Sequence, residues 1–353
     1  MSAVDQEIFM NLNEKVVKTF CVAKSFKDND GGRVNSIHFS WNGLNLITSS
    51  EEDQIVIYDC ERGDQKRLVN SQKYGVDLAR FTHAHNAAIH ASTKRDDAIR
   101  YLSLHDNKFI RYFTGHTKKV ISLEMSPTDD TFISGGLDNS VRLWDLRTPS
   151  CNGLMQVTGK PVCAFDPEGL IFSVGVNSEQ VWEKITRQTE VELFFHLMIS
   201  FQVKLYDLRS FEKGPFVTFN LPREKQCEWT GLKFSPNGQS ILLTTNGSVM
   251  RLIEAFHGQP LQTFAGHLNN KGIPVEGCFS PDSKFVFSGS TDGRIHVWDA
   301  DSGYKVSVLN GGHVGPVQAV QFNPCFMMMA SACQHLNMWL PNMNDPANMQ
   351  KSM

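Results

Sequence analysis

"VISLEMSPTDDTFISGGLDNSVRLWDL", residues 120–146, holds three short apolar runs separated by turn residues. The first alternates and stops at Ser126-Pro127, the second is rich in small and β-branched residues, and the third ends on an aromatic followed by an acid. Period-two alternation interrupted by Pro, Gly, Asn and Asp is a strand signal, so the stretch predicts an antiparallel meander.

The closing strand recurs along the chain. Strong copies are IVIYDC (55–60), VRLWDL (141–146), VKLYDL (203–208) and IHVWDA (295–300); weaker ones are IRYLSL (99–104), MRLIEA (250–255) and LNMWLP (336–341). The equivalent positions are Tyr58, Leu102, Trp144, Tyr206, Ile253, Trp298 and Trp339, giving steps of 44, 42, 62, 47, 45 and 41 residues. Removing the 22 residues from Val181 to Gln202 turns the long step into 40. A uniform period of about 40–45 residues matches the WD40 type of repeat. No unit can bury both faces of its sheet alone, whereas seven packed radially can, so the fold class expected is an all-β, seven-bladed WD40 propeller.

Only three strands fit in the last unit, between Val317 and Leu340. The N-terminal VVKTFCVAKSF (16–26) resembles the strand that ends another unit, PLQTFAGH, and is expected to supply the missing outer strand, which would remove an exposed sheet edge. The organisation expected is an N-terminal tail over 1–14, the propeller over 15–340 with an atypical insertion at 181–202 in the fourth blade, and a C-terminal tail over 341–353.

Three units are preceded by Gly-His, at His116, His267 and His313. In WD-type blades this histidine joins a turn aspartate, a strand serine or threonine and the strand tryptophan in a buried network. That likeness selects His116, Ser134, Asp138 and Trp144 in one blade, and His267, Ser288, Asp292 and Trp298 in another. The last unit has His313, Ser331 and Trp339, with Gln334 where the turn acid would sit. A His-Asp-Ser set also suggests hydrolysis, but its recurrence at repeat positions without a nucleophile elbow argues for structure.

Composition adds mostly exclusions. With 41% hydrophobic and 20% charged residues in 353, the chain can bury a large core, and a net charge of -3 gives no bulk attraction to DNA or an anionic membrane. Eight scattered cysteines without a CxxC predict unpaired thiols in a reducing compartment. The longest apolar run in the insertion, LFFHLMISF (193–201), is too short to span a bilayer. No Gly-rich phosphate loop or HExxH motif is present, so neither cofactor nor metal is expected; His83 and His85 are the one close histidine pair worth weighing as ligands.

The turns expected on one rim around the second and third blades carry Lys73 and Tyr74, Lys94 and Arg95, and Lys118 and Lys119. Adjacent cations with an aromatic suit an acidic or phosphorylated peptide. The bland reading is a solvated rim balanced by Glu51, Glu52 and Asp53.

KYGVDLARFTHAHNAAIHAS (73–92), DDAIRYLSLHDNKFIRYFTGH (96–116), CEWTGLKFS (227–235) and GSTDGRIHVWDADSG (289–303) carry a closer likeness. Over 15–340, apart from 181–202, the chain resembles the WD-repeat protein 82 and Swd-two family. The resemblance implies a nuclear, chromatin-associated, non-enzymatic propeller in COMPASS complexes, which methylate a lysine of the histone H3 tail. It also implies binding to the N-terminal region of a Set-one type methyltransferase and to the serine-phosphorylated C-terminal repeats of RNA polymerase II. A protein phosphatase 1 complex with a nuclear targeting subunit, acting in transcription termination, is a further implied partner. Contact with chromatin would run through partners, without sequence-specific nucleic-acid binding and without a membrane. Two other functions are weighed: an adaptor outside chromatin, such as a ubiquitin-ligase receptor, and a channel enzyme, for which Glu124, Asp166 and Glu276 are the acids on offer.

The insertion resembles nothing else in the chain. Valine codons begin with GT and glutamine can be CAG, so a 66-nucleotide block from Val181 to Gln202 has the ends of an in-frame intron; it is expected to be a retained intron or gene-model error, expelled as a loop if translated.

Overall fold

A computed structural model describes residues 12–27, 32–180, 198–221 and 227–342. Seven four-stranded antiparallel sheets form the blades of a propeller. Blades 1 to 6 occupy residues 34–70, 77–113, 120–156, 160–221, 229–265 and 277–310 in chain order. Blade 7 combines residues 319–341 with the N-terminal strand Phe20–Phe26, which is hydrogen-bonded to the strand Leu336–Pro341 from Phe20 opposite Pro341 to Phe26 opposite Leu336.

The closing strand starts at Phe20 rather than at Val16. Residues Glu14–Lys18 instead form one helical turn, because the Asn13 side chain accepts the Val16 N–H at 3.0 Å and satisfies a helix-end donor. That turn buries Val17 completely, and with Leu12 and Phe20 it packs against Val306, Leu309 and Trp339. The ordered fold thus reaches back to Leu12, into the expected tail.

Alternation produces the core. Within blade 3 the second strand, Thr131–Gly136, is buried on both faces because a sheet packs against each, and Phe132 and Trp144 stack with centroids 6.1 Å apart. Outer strands such as Lys108–Phe113 alternate between exposed and buried residues, since one face meets solvent.

Blade 4 departs from the others in its middle pair. Its strands Ile171–Gln180 and Met198–Asp207 run ten residues each, where the blade 3 pair has six. The end of the inserted block is therefore strand: Gln180 lies opposite Met198, and Phe201 lies opposite Asn177. Phe201 is buried and stacks on Trp229 of blade 5 with centroids 5.0 Å apart, so this part is not expelled as a loop. The remainder, 181–197, lies outside the described residues.

Candidate functional site

The link into blade 2 and that blade's middle turn are joined through backbone. The carbonyl of Tyr74 accepts the N–H groups of Thr93 and Lys94, both at 3.0 Å. Lys73, Tyr74, Lys94 and Arg95 therefore share one patch, and Lys118 and Lys119 stand on the next link, all five cations being exposed.

The five cations are not equivalent. Lys94 is ion-paired with the buried Asp53 of blade 1, and Lys119 reaches Asp77 at 2.9 Å. These acids, from neighbouring blades, spend two of the charges on holding blades together. Lys73, Arg95 and Lys118 make no carboxylate ion pair among the described residues. Lys73 sits 5.0 Å from the Tyr74 ring centroid, and its hydrogen bond, with the charges of Arg100 and Arg95 nearby, holds the Tyr74 phenol below its ordinary range.

Arg100 organises this patch, and nothing in the repeat pattern singled it out. Its guanidinium carbon lies 3.8 Å from the Tyr74 centroid and 5.5 Å from that of Tyr112. Two parallel bonds, at 2.7 and 2.8 Å, join it to Asp96, and a third reaches Ser92. Such a fork fixes the plane of the cation and hence the ring above it. The available signal was an arginine inside a strand, in IRYLSL, where burial demands a partner.

Among the expected blade networks, that of blade 3 is assembled. Trp144 Nε1–H donates to Ser134 Oγ at 2.8 Å, Ser134 Oγ meets His116 Nε2 at 2.8 Å, and His116 Nδ1 meets Asp138 at 3.1 Å. Asp138 also accepts from Ser140 Oγ and the Thr117 N–H, so its carboxyl, which burial would push up, is held below the ordinary range. Burial pushes His116 down, against the pull of Asp138.

Blade 6 does not assemble its set. His267 Nε2–H points to the Gly247 carbonyl at 3.3 Å, Ser288 Oγ donates to the Gly289 carbonyl at 3.0 Å, and Trp298 donates to the Ala265 carbonyl at 3.3 Å. Asp292 lies 3.6 Å from His296, not beside His267. The two blades differ in connection length. Ten residues separate His267 from Gly277, which pairs with Ser288, whereas seven separate His116 from Leu123, which pairs with Ser134. His296 stacks on Trp298, centroids 5.9 Å apart, and is the residue that Asp292 faces.

In blade 7, His313 Nε2 meets Ser331 Oγ at 2.7 Å and Trp339 Nε1–H donates to the same oxygen at 2.7 Å. The acid's place is taken by Cys333, whose Sγ lies 3.0 Å from His313 Nδ1, and not by Gln334. His83 is engaged in blade packing: it stacks on Trp41 at 4.8 Å and bonds the Ser126 carbonyl at 2.9 Å. None of the eight cysteines forms a disulfide among the described residues.

The channel acids are charge-balanced. Lys233 Nζ donates to Glu276, whose same oxygen accepts from Gln321 at 3.1 Å. Burial pushes the Glu124 carboxyl up, while Arg80 and Lys233 pull it down. Asp166 is elsewhere, closing its own turn by accepting the Ile171 N–H at 2.8 Å. This arrangement packs a channel and offers no acid–base pair flanking a cleft.

A family profile described as "WD domain, G-beta repeat" matches residues 20–59, 107–145 and 258–299. The chain is 62% identical over 332 residues to "WD repeat-containing protein 82" of Drosophila melanogaster, covering 94% of this chain and 98% of that protein. It is 36% identical over 267 residues to "Set1 complex component swd2" of Schizosaccharomyces pombe, covering 73% and 68%. It is 30% identical over 347 residues to "COMPASS component SWD2" of Saccharomyces cerevisiae, covering 94% and 98%.

Proposed function

Because the chain belongs to the WD-repeat protein 82 and Swd-two family of WD40 propellers, we propose that it is a non-catalytic nuclear adaptor of a COMPASS-type histone H3 lysine methyltransferase complex. In this reading it holds the N-terminal region of the methyltransferase and connects it to the serine-phosphorylated C-terminal repeats of RNA polymerase II. A protein phosphatase 1 complex with a nuclear targeting subunit, acting in transcription termination, uses the same propeller. Chromatin is reached through these partners.

The observation that carries the proposal is the patch in which Lys73 and Arg95, beside a Tyr74 ring fixed by Arg100, and Lys118 on the next link make no carboxylate ion pair among the described residues. A phosphoserine brings about two negative charges and three acceptor oxygens, which unpaired Lys and Arg can meet while the aromatic covers the peptide's apolar face. Lys94 and Lys119 set the geometry through Asp53 and Asp77 and contribute less to a ligand.

The test is binding of a serine-phosphorylated polymerase repeat peptide, followed by fluorescence anisotropy at several salt concentrations. Replacing Lys73, Arg95 and Lys118 together by alanine is expected to weaken binding by about tenfold or more and to flatten its salt dependence. Unchanged affinity in the folded triple variant would place the phosphopeptide elsewhere.

A further inference from the structure

The blade 7 network differs from that of blade 3 in the atoms it brings together. Cys333 Sγ lies 3.0 Å from His313 Nδ1 and 3.6 Å from His335 Nδ1. The two imidazoles are stacked, with centroids 5.0 Å apart and planes 17° from parallel. One ligand atom from each of the three residues falls within a span of 4.8 Å.

The hydrogen bonds to this sulfur are weaker than those at the matching place in blade 3. In blade 3 the same position is a carboxylate that gathers three donors. A thiol can give its one proton to one ring nitrogen and accept only weakly from the other, so the sulfur is a poorer hydrogen-bond hub than that carboxylate. Around a tetrahedral zinc, bonds of about 2.3 Å to sulfur and about 2.0 Å to nitrogen put neighbouring ligand atoms roughly 3.3–3.6 Å apart. The Cys333–His335 separation already has that value, the Cys333–His313 pair needs to open by about half an ångström, and the two ring nitrogens, which lie within 4.8 Å, need to close to about 3.3 Å.

We propose that His313, Cys333 and His335 form a zinc site at the rim of blade 7, with a fourth position left open for water or a partner's side chain. Supporting groups are in place. His313 Nε2 faces Ser331 Oγ, itself anchored by Trp339 Nε1–H, so with a metal on Nδ1 the Nε2 proton has an acceptor. Binding replaces the Cys333 S–H bond by an S–Zn bond and releases the thiol proton to solvent.

Access and consequence follow from the loop. Gly312 and Gly315 flank His313 with open space at the position of a side chain, Gly312 has φ +66°, and Val314 is 77% exposed. A metal here ties the loop entering blade 7 to the turn that begins Leu336–Pro341, the strand onto which the N-terminal strand closes.

The full chain, purified with reductant and stripped of metal, is titrated with Co2+ and then Zn2+. The expected result is a sulfur-to-cobalt charge-transfer band with the visible absorption of a tetrahedral ion, both displaced by Zn2+. Cys333→Ser is expected to abolish the charge-transfer band, and His335→Asn to weaken cobalt binding by tenfold or more. Absence of the band at millimolar Co2+ overturns the site, as does a band that survives Cys333→Ser and so arises from the exposed Cys21 or Cys325. Cobalt affinity unaltered by His335→Asn also overturns the three-ligand assignment, and this variant provides the answer if the serine variant does not fold.

Discussion

Gly175 pairs with Val203 across the middle hairpin of blade 4, as Gly135 pairs with Val141 in blade 3. One step further out, Val176 meets Gln202 as Gly136 meets Ser140, after which blade 3 turns through residues 137–139. Joining Gln180 directly to Val203 would set Gln180 opposite Val176, glutamine replacing glutamine, with 177–179 as a turn of the same length.

Deleting 181–202 is therefore expected to leave a complete blade. The loss is the Phe201–Trp229 stack, worth about 0.5–1.5 kcal/mol beyond its buried area. Thermal unfolding should remain a single transition within a few degrees of the full chain; collapse of cooperativity would show the block to be integral. Sequencing the transcript across the Gln180 and Val203 codons, with intact-protein mass, tests the retained-intron reading, which a predominant message and protein containing all 22 residues would reject.

Asp138→Ala and Asp292→Ala should differ. The first leaves His116, Ser140 and the Thr117 N–H without their acceptor and is expected to cost about 1–3 kcal/mol in urea unfolding. The second removes an aspartate that does not touch His267 and should cost clearly less. Equal losses would mean that blade 6 closes its network in solution.

Stability should fall between neutral pH and about pH 4. Burial holds His90, His267 and His313 near 4, and His38 well below its ordinary value. Below about 6.5 the unfolded chain takes up protons that the folded one refuses until about 4, so the unfolded state gains across that window. Unfolding free energies from urea titrations at pH 7.5 and pH 5 should differ by on the order of a few kcal/mol, after stripping of metal. A flat profile would mean that these rings are hydrated in the folded protein.

The sheets were legible because strand periodicity and turn residues are local: Trp144, Tyr206 and Trp298 announce their strands within a few positions. The partners of polar side chains were less so, since these depend on loop lengths and on neighbouring blades. Blade 6 has the same four residue types as blade 3, yet its longer connection accompanies a different set of partners. Lys94 and Lys119 read as ligand-binding charges until Asp53 and Asp77, 41 and 42 positions earlier, are seen to hold them. Cys333 stood one position from the residue singled out, Gln334, because a shorter turn advances the thiol into the acid's place.

Removing residues up to Phe26 should open blade 7. Val17, Phe20 and Phe26 are each buried, and each contributes about 1.5–3 kcal/mol by leaving water. The truncated chain is expected to melt well below the full one or to lose its single transition in calorimetry; an unchanged melting temperature would reject the closure.

The pairing of Phe20 with Pro341 also sets an order of events during synthesis. Phe20 is made well before Pro341, and at about 5–20 residues per second the interval is on the order of tens of seconds. Through that time the apolar face of Phe20 and Phe26 has no native neighbour on Leu336–Pro341, while six blades can already collapse locally. A nascent chain is thus an open arc with two unpaired edges until Leu336–Pro341 has been made.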